Sequence, residues 1–99
     1  MSTEDRQAAQ RRLTDLLTIV RGMPAQKEQL ARLLEEAEAL ERAIAAFHLE
    51  GIRFRIYNVD RIVQHPPVPL PPDAPAIVAD VRKHLEAAGF HTRSHQSPV

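Results

Sequence analysis

Five histidines are the residues of this chain best suited to holding a metal ion. His91 and His95 fall on one face of an expected terminal strand. Asp80 and His84 sit at i and i+4 on an expected helix, a spacing that can chelate one cation. The Asp80 and His84 pair reads equally as a local electrostatic contact on a polar helix face, and His91 and His95 flank Thr92-Arg93-Ser94 at the end of the chain. No metal site is assigned. Nucleophilic catalysis has less to work with. There is no Cys and no glycine-rich phosphate loop, and the serines are Ser2, Ser94 and Ser97, none in a defined elbow. Glu35, Glu36, Glu38 and Glu41 supply carboxylates, but they are read as lying outside the apolar seam of a long helix and pointing to water. A general acid there lacks a desolvated cleft. The expectation is a protein with no catalytic residue and no cofactor.

Charge is balanced overall and uneven along the chain. Thirteen Lys plus Arg face thirteen Asp plus Glu, so no global field draws the chain to nucleic acid or to an anionic membrane. Residues 28–50 carry six acidic and two basic side chains, a balance of minus four, whereas residues 51–99 carry six basic and four acidic ones, a balance of plus two. Within the second half, Arg53, Arg55 and Tyr57 alternate. On an exposed strand face they would form a basic and aromatic strip able to hold phosphates and stack bases. Arginines in such places also keep a half-buried strand soluble and guard its edge. Five prolines in the seven residues Pro66–Pro72 offer two overlapping P-x-x-P frames, but Asp73 follows where such ligands usually carry a basic residue. A stiff polyproline spacer explains the run more simply.

The elements that must position these residues follow from periodicity. Ala9, Leu13, Leu16, Val20 and Met23 step 4, 3, 4, 3 and set a first helix at about 4–21, with Ser2 or Thr3 as its cap. Leu30, Leu33, Ala37, Leu40, Ile44 and Phe47 step 3, 4, 3, 4, 3, the seam of a coiled coil, and set a second helix at about 24–49. The short connection at Gly22 and Met23 folds the two back as an antiparallel hairpin. At 1.5 Å per residue the second helix is longer by roughly 12 Å, so its end, with Ile44, Phe47 and Leu49, projects uncovered. Beyond Gly51, the alternation Ile52-Arg-Phe-Arg-Ile-Tyr-Asn-Val reads as a strand with Ile52, Phe54 and Ile56 inward. Whether residues 58–64 extend it or turn back as a hairpin stays open. Asp73 caps a third helix at about 74–88, with Ile77, Val78, Val81, Leu85 and Ala88 on one face. Gly89 then ends it before a strand from Phe90 to about Ser94. Gly22, Gly51 and Gly89 are all read as helix terminators.

The expected fold is a single α+β domain over residues 1–99, an N-terminal antiparallel αα-hairpin followed by a small β-α-β unit. The absence of Cys excludes disulfide scaffolds and Cys-based zinc sites, no apolar run approaches a membrane span, and a cytoplasmic location is the default. The function expected is a non-catalytic protein-interaction module. It self-associates as a homodimer through Leu34, Ile44, Phe47 and Leu49 and serves a further protein partner. The alternative is a nucleic-acid-binding accessory protein using Arg53, Arg55 and Tyr57.

Overall fold

The computed structural model describes residues 3–90, and these form four α-helices: α1 Thr3–Arg21, α2 Ala31–Ala45, α3 Leu49–Gln64 and α4 Asp73–Ala87. A 3-10 turn, Pro24–Gln26, lies between the first two. No strand occurs among the described residues, which corrects the α+β reading: the stretch expected as the first strand of a β-α-β unit is helix, and the described residues form an all-helical bundle. Each helix packs on two others, α1 between α2 and α4, and α3 between α2 and α4. The broadest interfaces are α1 on α4 and α2 on α3. Arg12 reaches Asp80 while Asp5 lies by His84, so α1 and α4 run antiparallel. Glu36 meets Asn58 while Ala43 faces Gly51, so α2 and α3 do the same.

The first helix and the last agree with their spacing. Ala9, Leu13, Leu16, Leu17 and Val20 are buried on α1, and Ala74, Ile77, Val78, Val81 and Leu85 on α4. Asp73 opens α4 as its first helical residue, with Pro72 in the capping position and no side-chain cap. Gly89, at φ 100, closes it. The second helix departs from expectation at both ends. Pro24 starts only a 3-10 turn, and α2 begins after Leu30. Its seam residues Leu33, Ala37, Leu40 and Ile44 are buried as expected, but the helix stops at Ala45.

The break falls at Phe47. Phe47 has φ 56, its N–H donates to the Ile44 carbonyl at 3.2 Å, and the next N–H, of His48, reaches back to Ala43 at 2.9 Å. This pair of bonds closes a helix with a left-handed residue, here without glycine. His48 then starts the next helix, because its Nδ1 accepts the Gly51 N–H at 2.9 Å. Gly51 is therefore no terminator. A Cβ there would stand 2.6 Å from His48 Nδ1 and 3.2 Å from Ala43 Cβ, so the small residue lets the cap and the α2–α3 approach coexist.

Residues 52–63 are helical because Ile52, Ile56, Val59 and Val63 step 4, 3, 4 and bury one stripe against the core. Phe54, expected inward beside Ile52 and Ile56, lies on the other side and is 44% exposed. The β-branched residues gave the stretch a strand's propensity, which tertiary burial overrides. The proline segment connects α3 to α4, crossing the end of a helical bundle and not a sheet edge, with Val68 and Leu70 partly buried on the core. Phe90 is buried but belongs to no strand. The remainder of the expected strand, residues 91–94, lies outside the described residues.

Candidate functional site

Because α3 folds back on α2, the surface left open differs from the one a longer helix would leave. Ile44, expected to be uncovered, is fully buried. Leu34 is partly buried beside a recess of about 290 Å³ lined by Val20, Met23, Pro24 and Leu30. Phe47 and Leu49 remain exposed, at 48% and 44%, and Phe54 joins them as the third exposed large hydrophobic among the described residues. Phe47 lies in the turn from α2 into α3, Leu49 opens α3, and Phe54 follows in its second turn.

Phe47 is held there by two aromatic contacts. Its ring lies 6.3 Å from that of Phe90 at an interplanar angle of 38°, and the Arg6 guanidinium sits 4.2 Å from its centroid. Arg6 has its Nε buried without a hydrogen bond among the described residues, as has Arg53 nearby in sequence. Next to this turn, His48, Glu50, Gly51, Phe54 and Arg55 line an open hollow of about 460 Å³. Glu50 and Arg53 face each other loosely at 3.8 Å.

Behind the turn, α2 and α3 are joined through Glu36, whose side chain is only 4% exposed. Arg55 donates to both of its oxygens at 3.0 and 3.1 Å, Asn58 to Oε1 at 3.1 Å, and Arg32 to Oε2 at 3.2 Å. Burial is the largest single influence on this carboxyl and pushes its pKa up. The bonds from Arg55, Asn58 and Arg32 together outweigh it and hold the pKa below its ordinary value. Glu36 therefore does not point to water, contrary to the expectation from its place beside the seam. The signal available in the sequence was its position three residues after Leu33 and four before Leu40, inside the apolar spacing.

The strip of Arg53, Arg55 and Tyr57 is not formed. On a helix Arg53 and Tyr57 share a face at i and i+4, while Arg55 turns away and engages Glu36. Tyr57 has the Arg61 guanidinium 5.8 Å from its ring. The proposed chelating pair is likewise drawn apart by separate partners: Asp80 accepts from Arg12 at 2.9 Å, and His84 Nδ1 lies 3.8 Å from Asp5. Hydrogen bonds from Arg12 to Asp15 and then to Asp80 raise the pKa of its guanidinium. Among the described residues no group of three or more His, Asp or Glu could hold a metal ion. His91 and His95, with Ser2, Ser94 and Ser97, lie outside the described residues. Among those described, no helix is long and apolar enough to cross a membrane. Comparison with protein-family models, with curated proteins and with solved structures finds no match to this chain.

Proposed function

We propose that this protein is a non-catalytic interaction module that pairs with a second copy of itself through the α2–α3 turn, leaving its other faces for a further protein partner. The observation that carries the reading is Phe47: a bulky aromatic in the left-handed region, at a cost of roughly 1 to 2 kcal/mol, and still 48% exposed. Single exposed apolar residues need no explanation, but three within eight residues around a strained position do. Charge favours a second copy as the occupant. Glu50 and Arg53 stand side by side on the turn, so a two-fold axis can exchange their loose contact for two reciprocal ones between chains. Ile44, fully buried, contributes nothing to this pairing.

Nucleic-acid binding through Arg53, Arg55 and Tyr57 has less support, because Arg55 is committed to Glu36 and Arg53 is offset by Glu50. A cytoplasmic location belongs to the same proposal, in keeping with a chain that has no cysteine.

Light scattering on a size-exclusion peak tests it. The expected mass is twice the 11.1 kDa of one chain, and Leu49→Glu, at an exposed position, returns it to one. A single-chain mass for the unaltered protein, or a double mass that survives Leu49→Glu, overturns the reading.

A further inference from the structure

A different face carries an inference independent of self-association. Arg32 on α2 and Asn58, Arg61 and Ile62 on α3 line a recess of about 150 Å³ beside the Glu36 network. We propose that this recess binds a small phosphate-bearing anion, with Arg32 and Arg61 as opposed cationic walls.

Charge is the first ground. Glu36 is the one carboxylate engaged here, and it is saturated by bonds from Arg55, Asn58 and Arg32. Arg32 and Arg61 line the recess while Arg55 is held on Glu36, so the lining itself carries two positive charges and no carboxylate, which suits a phosphate anion. The donors are also at hand. Arg61 makes no ion pair with a described carboxylate, since the neighbouring Asp60 pairs with Arg82 at 3.7 Å. Arg32 uses its Nε on Glu36, which fixes the plane of the guanidinium and leaves its two terminal nitrogens for a ligand. Guanidinium forks arriving from two helices suit the oxygens of a tetrahedral anion, which offers acceptors in more than one plane.

Size narrows the ligand further. The recess has half the roughly 300 Å³ at which sites for drug-sized molecules begin, so a phosphate group fits within it and any larger part of an ester lies outside. Half-buried Ile62 on its wall removes water from one side and strengthens the charge interaction. The anion is either free phosphate or the phosphate end of a small ester.

An NMR titration of the whole chain, reading backbone amides and arginine Nε–H groups at ionic strength held constant with sodium chloride, tests the site. Inorganic phosphate should move the Arg32 and Arg61 Nε–H signals and the Asn58 side-chain amide along one saturating curve. Arg61→Gln should weaken binding about tenfold, the worth of a charge-assisted hydrogen bond, and lower stability by no more than about 0.5 to 1 kcal/mol, because the contact with the Tyr57 ring is what it loses. A parallel titration with glycerol 3-phosphate separates the sources: equal saturation assigns the site to phosphate esters, and saturation by phosphate alone assigns it to the free ion. Shifts that grow without saturating, that spread evenly over all eleven arginines, or that saturate at the same phosphate concentration in Arg61→Gln as in the unaltered protein overturn the proposal.

Discussion

Two antiparallel helix pairs, α1 with α4 and α2 with α3, build this molecule, and one helix of each ends in the same backbone turn with a different residue in it. At the end of α4 the Phe90 N–H reaches Leu85 at 2.9 Å and the Gly89 N–H reaches Glu86 at 3.0 Å. At the end of α2 the bonds from His48 to Ala43 and from Phe47 to Ile44 repeat that arrangement. Gly89 occupies φ 100, where a residue without Cβ is at ease, while Phe47 occupies φ 56 against its own sterics. The pairs are also fastened differently. Between α1 and α4 the polar contacts lie at the partly exposed rim, an ion pair of Arg12 with Asp80 and the approach of Asp5 to His84, whereas α2 and α3 close over a buried carboxylate. Only the second pair ends on a non-glycine residue held in the left-handed region, and such strain persists where a side chain has a use.

The largest effect that separates the pairs is expected from Arg55→Ala. Removing it leaves Glu36 buried with only Asn58 and the largely exposed Arg32, and should lower stability by about 2 kcal/mol at neutral pH. That is less than the roughly 3 to 5 for a fully buried pair, because Arg55 is itself 36% exposed. The pH dependence gives the sign. In the unaltered protein the folded-state pKa of Glu36 lies below its ordinary value of 4.5, so its contribution is present above that value and is lost as pH falls through the folded pKa. In Arg55→Ala, burial is less opposed and the pKa rises. Urea unfolding of both proteins from neutral pH to well below the carboxylate range should show the gap between them shrinking. A gap that is constant with pH would mean Arg55 acts by packing and not by charge.

How far this contrast could be read from the residues depends on the region. The apolar stripes of α1 and α4 are each bounded by ordinary stop signals, and Gly89 does what glycine does after a helix, so that pair was legible almost to the residue. The α2 seam was legible as well, up to Ile44. The turn after it was not, because Phe47 continues the 3, 4 spacing while leaving the helix, and nothing in a phenylalanine announces a left-handed backbone. Ile52, Phe54 and Ile56 fit period two as well as Ile52 and Ile56 fit a helix, and only the continuation through Val59 and Val63 decides for the helix. Glu36 was misplaced for a related reason. A carboxylate one position off an apolar seam is exposed unless a partner helix brings a cation to it, and Arg55 had been assigned to a strand.

A smaller effect, about 1 kcal/mol, is expected for Gly89→Ala. No heavy atom lies within 4 Å of where the new Cβ would stand, so the whole cost is the backbone conformation at φ 100. A thermal melt decides it. An unchanged melting temperature would show that the end of α4 relaxes freely, and the likeness between the two helix ends would then be only formal.

An effect of similar size, and the most telling, is expected for Phe47→Gly. Glycine releases roughly 1 to 2 kcal/mol of left-handed strain. Against this stand the contact with Phe90, about 0.5 to 1.5 kcal/mol, the Arg6 guanidinium stacked on the ring, about 0.5 to 1, and the burial of the covered part of the side chain, about 1. The losses exceed the release by about 1 kcal/mol, so a dilute sample should melt several degrees lower, with the α2 end now closed as α4 is closed. Self-association should be lost altogether, because the exposed part of Phe47 is what the second copy covers in the proposed pairing. Measuring both properties on the same variant separates two uses of the residue. A loss of more than about 3 kcal/mol would make Phe47 above all a cover for Phe90 and the bundle end, chosen for stability despite its backbone. A variant that loses only the expected amount and still shows a double mass would leave the strain at Phe47 without the use proposed for it.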